Sequence, residues 1–346
     1  MDKKGYIRKI YEAGFRDTRD WTDWYFDRVY NDEDALTVTN QDGETVAALM
    51  LTKYRFDMLS TPLDCSYISG ATTLRRHRGL GHMSALIREA LSVSRQRGDA
   101  LCCLIPAYDR LYGFYNRFDF ATVFFVDELR YTSVHKFDDN GCFREVVPDY
   151  NTFERLENLR PTGVRHSRRD FDNILADNRL DGGIVAAVSD EQGVSAMAFA
   201  TVSDDCVTVK ALLADNTEAA EAVMGAVKRR SGEKRFTVWA EPGERRGALR
   251  ARAMARIVDV EKLLGAVAAS DRQLDCVIRV HDRLLADNNG VFIIREGHVE
   301  KTDSTMRRLS LDISVSTLTK LLFSRRAIGE IFSLPTTRPS ISLMLD

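Results

Sequence analysis

The sequence predicts an α+β protein of three successive units, and three observations carry that prediction. A hairpin, strand, helix, strand order occurs twice, once before and once after Pro148. Only the first copy places an arginine- and glycine-rich turn between its strand and its helix. A shorter set of apolar strands with one helix follows, and the sequence ends on an apolar alternation in which Ile341, Leu343 and Leu345 are interleaved with Ser340, Ser342 and Met344. At 346 residues the chain also exceeds what one hydrophobic core usually organises.

Residues 7–30 read as helical, with Trp21, Trp24, Tyr25, Phe26 and Val29 forming an aromatic face whose first reading is core packing and whose second is a substrate lining. Two strand-like runs, residues 36–39 and 46–52, flank the turn Asn40-Gln41-Asp42-Gly43. After the apolar run at Tyr67, Ile68 and Ala71 comes the turn Thr72-Thr73-Leu74-Arg75-Arg76-His77-Arg78-Gly79-Leu80-Gly81-His82. It leads into a helix whose Met83, Leu86, Ile87, Ala90 and Leu91 recur with helical period and which Gly98 stops. Residues 100–106 form a fully apolar strand stopped by Pro106, a short helix spans 110–118, and a strand spans 122–131.

The second copy pairs residues 184–189 with 194–200, then runs through a strand at 206–213, a helix at 217–230 and a strand at 236–240. In the third unit, residues 276–280 and 291–295 read as strands paired across Asp287-Asn288-Asn289-Gly290, followed by a strand near 309–313 and a helix at 316–323.

Arg76-x-x-Gly79-x-Gly81 between strand and helix is an anion-binding device. Glycines let backbone N–H groups approach a ligand, the helix N-terminus adds partial positive charge, and arginine adds a full one. A P-loop is excluded, because His82 and Met83 stand where Lys and Ser/Thr would follow the glycines. A dinucleotide fingerprint needs a third glycine and a later acid. In the second copy, Ala214-Asp215-Asn216-Thr217 replaces the arginine and glycines and leaves that helix start without means of holding a pyrophosphate.

A net charge of −2, with 49 basic and 51 acidic residues interspersed, argues against a dedicated nucleic-acid partner. The basic cluster at 228–235 ends a helix and reads as a solvated cap. No apolar run approaches transmembrane length and the N-terminal residues have no leader-like apolar core, so a cytoplasmic protein with no membrane partner is expected. The six cysteines lack metal spacing and read as reduced thiols, with no metal expected. Five histidines (His77, His135, His166, His281 and His298) read as solvated surface positions.

The Arg76-x-x-Gly79-x-Gly81 turn resembles the acyl-CoA pyrophosphate loop of the GNAT N-acetyltransferases. Phe114-Tyr115-Asn116-Arg117-Phe118-Asp119-Phe120 sits where that family carries Phe-Tyr-x-x-Phe-Gly-Phe, with Asp119 departing from the usual glycine. Two GNAT-like units, a small α+β unit similar to sterol carrier protein and an apolar carboxyl terminus together resemble the enhanced-intracellular-survival (Eis) type of acetyltransferase. The resemblance implies a catalytic GNAT domain at 1–135, a second GNAT-like domain without a cofactor loop at 136–252, and a sterol-carrier-like domain at 253–346 whose tail enters the active site.

It further implies acetyl-CoA as co-substrate and direct transfer to a primary amine: an aminoglycoside, another polyamine-like cation or a protein lysine. The expected assembly is a homo-oligomer, with a hexamer among those the family allows. Tyr115 is the implied general acid, with Tyr112 its rival, and the terminal carboxylate of Asp346 is the implied general base. Backbone N–H groups of Ala71, Thr72 and Thr73 would hold the thioester oxygen. Arg76, Arg78, Gly79, Leu80, Gly81, His82, Met83, Ser84 and Ala107 complete the implied acetyl-CoA site, and Phe15, Asp17 and Trp24 the implied substrate face.

The chemistry suits these residue types. A tyrosine of ordinary pKa near 10 is protonated at neutral pH and can donate, while an α-carboxylate, a poor base in water, gains basicity when buried. Tyr115 as a plain core aromatic and the tail as a simple edge strand are the competing readings. A lipid- or small-ligand-binding protein on a non-catalytic GNAT scaffold is the competing function.

Overall fold

A computed structural model describes residues 2–138, 141–323, 334 and 337–345. The single helix expected over residues 7–30 is broken. α1 (Lys3–Gly14) ends at its glycine and leaves Phe15 extended. α2 (Arg19–Trp24) restarts behind Thr18, whose hydroxyl accepts the Trp21 N–H, and passes into a π-helical turn at Tyr25–Val29. Helical periodicity in the aromatic residues is real, but it hides a glycine stop and a threonine cap inside the run.

β1 (Ala35–Thr39), β2 (Thr45–Met58) and β3 (Thr61–Thr73) form an antiparallel meander. α3 (His82–Gln96) leads to β4 (Leu101–Leu104), parallel to β3, then α4 (Arg110–Asn116) and β5 (Ala121–Tyr131) follow. β6 (Arg144–Val146), α5 (Tyr150–Glu157), β7 (Gly163–Arg165) and α6 (Arg168–Leu180) introduce the second copy. That copy consists of β8 (Ile184–Ser189), β9 (Ser195–Val202), β10 (Cys206–Ala214), α7 (Thr217–Ser231) and β11 (Arg235–Ala240), with β10 and β11 parallel. β12 (Ala248–Ile257) precedes the third unit, made of α8 (Val260–Ser270), β13 (Cys276–His281), β14 (Gly290–Arg295), β15 (His298–Thr302), β16 (Leu311–Ser314) and α9 (Val315–Leu322).

Among the described residues the strands form one sheet of 12 and one of 4, the larger in the order β1-β2-β3-β4-β12-β5-β11-β10-β9-β8-β6, with β7 pairing β2 off this path. The two copies therefore exchange strands. β5, from the first copy, pairs with β11 of the second, and β12, which follows the second copy, inserts between β4 and β5. The expected division between residues 252 and 253 falls inside β12. Its hydrogen bonds belong to the large sheet on both of its edges.

Both faces of the first copy are covered. α3 buries Leu86, Ile87, Ala90 and Leu91 against Leu49, Leu51, Cys102 and Leu104. On the opposite face Phe56, Tyr67, Leu101 and Cys103 join Leu263, Leu264, Val267, Leu318 and Leu322 of α8 and α9 in one continuous core. Each large aliphatic side chain buried this way contributes about 1.5–3 kcal/mol, which ties the third unit firmly to the first. No described helix is long and apolar enough to cross a membrane.

The carboxyl-terminal segment is wedged between the copies. The Val164 N–H donates to the Ser340 carbonyl at 3.0 Å and the Ser340 N–H to Thr162 at 3.1 Å. A Cβ on Gly163 would lie 2.0 Å from the Ser340 hydroxyl, so only glycine lets the tail approach. The predicted alternation does not continue as a strand: Leu343 takes φ +56, which turns it into the second copy's core beside Phe153 and Phe199 while Ile341 and Met344 stay in the first.

Candidate active site

The parallel ladder between β3 and β4 ends at the Ile68–Leu104 pair, and β3 continues through Thr73 paired with β2 on its other edge. The two strands thus part, as Pro106 forbids β4 to continue the ladder. At the parting a β-bulge sits on β3. Ser69 pairs with Met50 and Thr72 with Ala48, so two residues, Gly70 and Ala71, oppose one. Gly70 has φ +58, and a Cβ there would meet the Tyr11 ring at 3.4 Å.

The Leu74 N–H donates to Val46 on β2. Alternation along the strand therefore directs the Thr73 N–H and carbonyl to the edge that β4 has vacated, and that carbonyl accepts from Arg78 Nε at 3.0 Å. Of the three N–H groups expected to hold a thioester oxygen, Thr73 faces the parting, whereas Thr72 is buried and laddered to Ala48.

Gly79 and Gly81 have φ +81 and +85, Gly81 caps α3, and a Cβ on either would meet nothing within 4 Å. The cradle ahead of His82, Met83 and Ser84 is therefore open, with exposed Arg76, Arg78 and Leu80 on its rim. Arg76 is paired with Glu44 of the preceding hairpin, and its Nε lies 3.0 Å from His77 Nε2. Ala107 is exposed in the loop after β4. The corresponding helix start in the second copy is already filled. The Asn216 side-chain oxygen accepts the Ala219 N–H, and Asp215 accepts the Ser195 N–H while paired with Arg155, so an amide oxygen caps that helix start and the neighbouring carboxylate is engaged with β9 and Arg155.

Tyr115 lies on α4, buried among Leu86, Phe118 and Phe120, with its ring 5.9 Å from that of Phe120. Its hydroxyl makes no hydrogen bond to another described residue, and burial pushes its pKa up to about 12, so it stays protonated. Tyr112 is half-buried and also raised, by burial first. The turn after α4 carries Asp119 at φ +63, the left-handed position for which glycine is the usual residue.

A cleft of about 240 Å³ between the copies is lined by Asp17, Trp21, Asp177, Asp181, Lys210, Trp239 and Arg252, together with Leu343 and Met344 of the tail. Trp21 Nε1 donates to Asp177 at 2.7 Å, and the Tyr11 hydroxyl donates to Asp17 at 2.7 Å. Burial raises the Asp177 carboxyl above its ordinary pKa, only partly offset by the Trp21 hydrogen bond. Arg252 lies over the Trp239 ring at 4.6 Å. Asp17 is thus brought to the tail, whereas Phe15 stacks on Tyr11 and Trp24 packs edge-on against Trp21, and neither lines this cleft. Tyr115 does not line it either, and Asp346 lies outside the described residues.

Asp177, Asp181, Trp239 and Arg252 escape sequence reading because they lie far along the chain from Asp17: α6 packing on α2 brings up the two aspartates, and the strand exchange through β11 and β12 brings up Trp239 and Arg252.

A second cleft, of about 500 Å³, is lined by Tyr54, Arg55, Glu157, Arg165, His166 and Leu345 among others. His166, expected on the surface, is buried: its Nδ1 lies 2.7 Å from Glu157 and its Nε2 has no partner among the described residues. Burial alone would lower its pKa, but Glu157, aided by Asp170 and opposed by Arg165, carries it above the ordinary value. A folded-state pKa raised in this way stabilises the fold fully below the unfolded value near 6.5, and that contribution is lost as pH rises through the raised value. Thermal melts across pH 5.5–9 should show wild type losing stability relative to His166→Gln as pH rises; parallel curves would rule the pair out as the cause.

Comparison with known proteins bears on the domains and the fold. Residues 2–123 match the family model for an acetyltransferase (GNAT) domain, and residues 247–332 that for a sterol carrier protein domain. No curated protein sequence matches the chain. A probable N-acyltransferase of unknown function from Enterococcus faecalis V583 superposes with a TM-score of 0.76 at 14% identity, covering 97% of this chain and 91% of that one. A GCN5-related N-acetyltransferase from Anabaena variabilis gives 0.73 at 15% identity, covering 96% and 90%. Eis1 from Mycobacterium abscessus gives 0.70 at 15% identity, covering 94% and 87%. The chain therefore carries a GNAT acetyltransferase domain over residues 2–123 and a sterol carrier protein domain over residues 247–332, and it shares its overall fold with Eis1 from Mycobacterium abscessus.

Proposed function

We propose that this enzyme transfers an acetyl group from acetyl-CoA directly to a primary amine borne by a cationic small molecule. One observation carries the reading: the parting of β3 and β4 leads straight into an open glycine cradle at the start of α3. Backbone N–H groups there would bind the pyrophosphate, with Arg76 exchanging Glu44 for the ligand's phosphates and Arg78 adding charge. The Thr73 N–H, directed into the parting, would donate to the thioester oxygen as negative charge develops on it.

The amine nitrogen attacks the thioester carbon and the carbon–sulfur bond breaks. The departing thiolate takes a proton from Tyr115, and the terminal carboxylate of Asp346 takes the proton that the amine loses. Support for a cationic acceptor comes from the cleft at the tail, where three carboxylates face two cations between Trp21 and Trp239. Burial works against the Asp177 carboxylate, so a cation placed beside it stabilises it more than it would in water. A protein lysine presents a single charge on a bulky backbone and matches this cleft less well than a polyamine or aminoglycoside.

CoA release from acetyl-CoA should be measured against a panel of monoamines, spermidine, an aminoglycoside and a lysine peptide. Multiply charged amines should turn over fastest, and Asp177→Asn should raise KM for spermidine about tenfold with KM for acetyl-CoA unchanged. Equal turnover of mono- and polyamines, or an unchanged KM in the variant, would remove the acidic cleft from the reading. No binding of acetyl-CoA and no turnover of any amine would overturn it altogether.

A further inference from the structure

We infer that the sterol-carrier-like unit is a positioning element for Tyr115, acting through Arg283 on the turn at residues 117–119. This rests on the reading of Tyr115 as the proton donor. α4 is short and its C-terminal turn is unusual. Phe118 and Asp119 donate their N–H groups to the Tyr115 and Asn116 carbonyls at 2.9 and 3.1 Å, which forces Asp119 into the left-handed region at φ +63. A residue with a Cβ is disfavoured there, so this turn needs an external hold that a glycine would not.

Two arginines provide it, and neither belongs to the turn. Arg283, from the loop after β13, donates from Nε to the Asp119 carboxylate at 3.1 Å and from its other nitrogen to the Arg117 carbonyl. Arg256, on β12 and fully buried, donates to the Phe118 carbonyl at 3.0 Å and to Asp282 at 2.6 Å. Asp282 in turn accepts the Leu284 and Leu285 N–H groups at 2.9 and 3.0 Å and the Asn288 amide at 2.8 Å. The loop that carries Arg283 is therefore itself fixed. The guanidinium fork holds the side chain and the backbone of the same turn at once, a geometry that a lysine does not reproduce.

The replacement of glycine by aspartate at position 119 and the arginine at position 283 thus make one device. The carboxylate gives the distant unit a handle on the turn, and the arginine offsets the conformational cost of that carboxylate's left-handed backbone. Tyr115, whose hydroxyl has no hydrogen bond to another described residue, depends on its backbone and ring packing for its aim.

The test is a double-mutant cycle on turnover of spermidine with acetyl-CoA. Arg283 is largely exposed, so Arg283→Ala should fold. It should lower kcat about tenfold with KM for acetyl-CoA unchanged, and Tyr115→Phe should lower kcat about 100-fold. In the double variant the effects should not multiply, leaving kcat near that of Tyr115→Phe alone. Adding Asp119→Gly to Arg283→Ala should restore kcat to within about twofold, because glycine takes the left-handed position unaided.

Wild-type turnover in Arg283→Ala, effects that multiply, or no recovery with Asp119→Gly would each overturn the positioning role. Wild-type turnover in Tyr115→Phe would instead overturn the reading of Tyr115 itself. The two failures are therefore separable.

Discussion

Removal of Leu345 and Asp346 should lower turnover by about 100-fold or more while leaving acetyl-CoA binding intact. The segment before them is held without their help. Ser340 is bonded to Thr162 and Val164, Ile341 and Met344 are buried in the first core, and Leu343 packs in the second. The glycine cradle lies on the far end of β3 from the Gly163–Ser340 bridge, so cofactor binding has no reason to change. What the truncation removes is the carboxylate proposed as base, together with Leu345, which closes the cleft beside His166. A single extra glycine after Asp346 separates these two effects, because it moves the α-carboxylate while keeping Leu345. Both versions slow, with unchanged binding of acetyl-CoA by thermal shift, would support the terminal carboxylate. Full activity with the added glycine would mean that the base lies elsewhere and that the tail is only packing.

How much of this was legible in the sequence depends on the range of the interaction. The Arg76-x-x-Gly79-x-Gly81 turn and the helix after it are local, and their pattern survives folding as it stands: the glycines take the left-handed angles that the motif requires. Both hairpins and both helix-flanked parallel pairs follow from periodicity and turn residues in the same way. Asp119 was visible as a departure from glycine, but the residue that compensates it is 164 positions away and belongs to another unit. Strand exchange is the larger omission. β12 alternates less clearly than the other strands, with exposed Arg250 on one part and fully buried Met254 and Ala255 on another, because its two halves meet different neighbours. The break near Phe15 was missed for a different reason: aromatic residues on both sides keep the helical period across Gly14, so hydrophobicity carries no mark of the stop. His166 looked like any surface histidine. Its burial beside Glu157 comes from packing against Tyr54 of β2 and Phe153 of α5, which no local pattern announces.

Arg256→Met should be the most destabilising single substitution at the junction of the first and third units, at about 3–5 kcal/mol. The guanidinium and the Asp282 carboxylate are both fully buried, 2.6 Å apart. Loss of the arginine strands a charge for which three remaining donors, from Leu284, Leu285 and Asn288, do not substitute. It also leaves the Phe118 and Ile257 carbonyls without the donors they have at 3.0 and 2.8 Å. Such a loss should lower the thermal midpoint by roughly 5–15 °C. Asp282→Asn keeps acceptors for the two N–H groups but leaves the arginine uncompensated, so it should also destabilise, and the two changes together should cost less than their sum. The same arginine grips the turn that follows Tyr115, so the stability of the junction and the aim of the tyrosine are coupled through one side chain. A midpoint within about 2 °C of wild type in Arg256→Met would show that apolar packing between the α8 and α9 helices and the large sheet holds the units together without it.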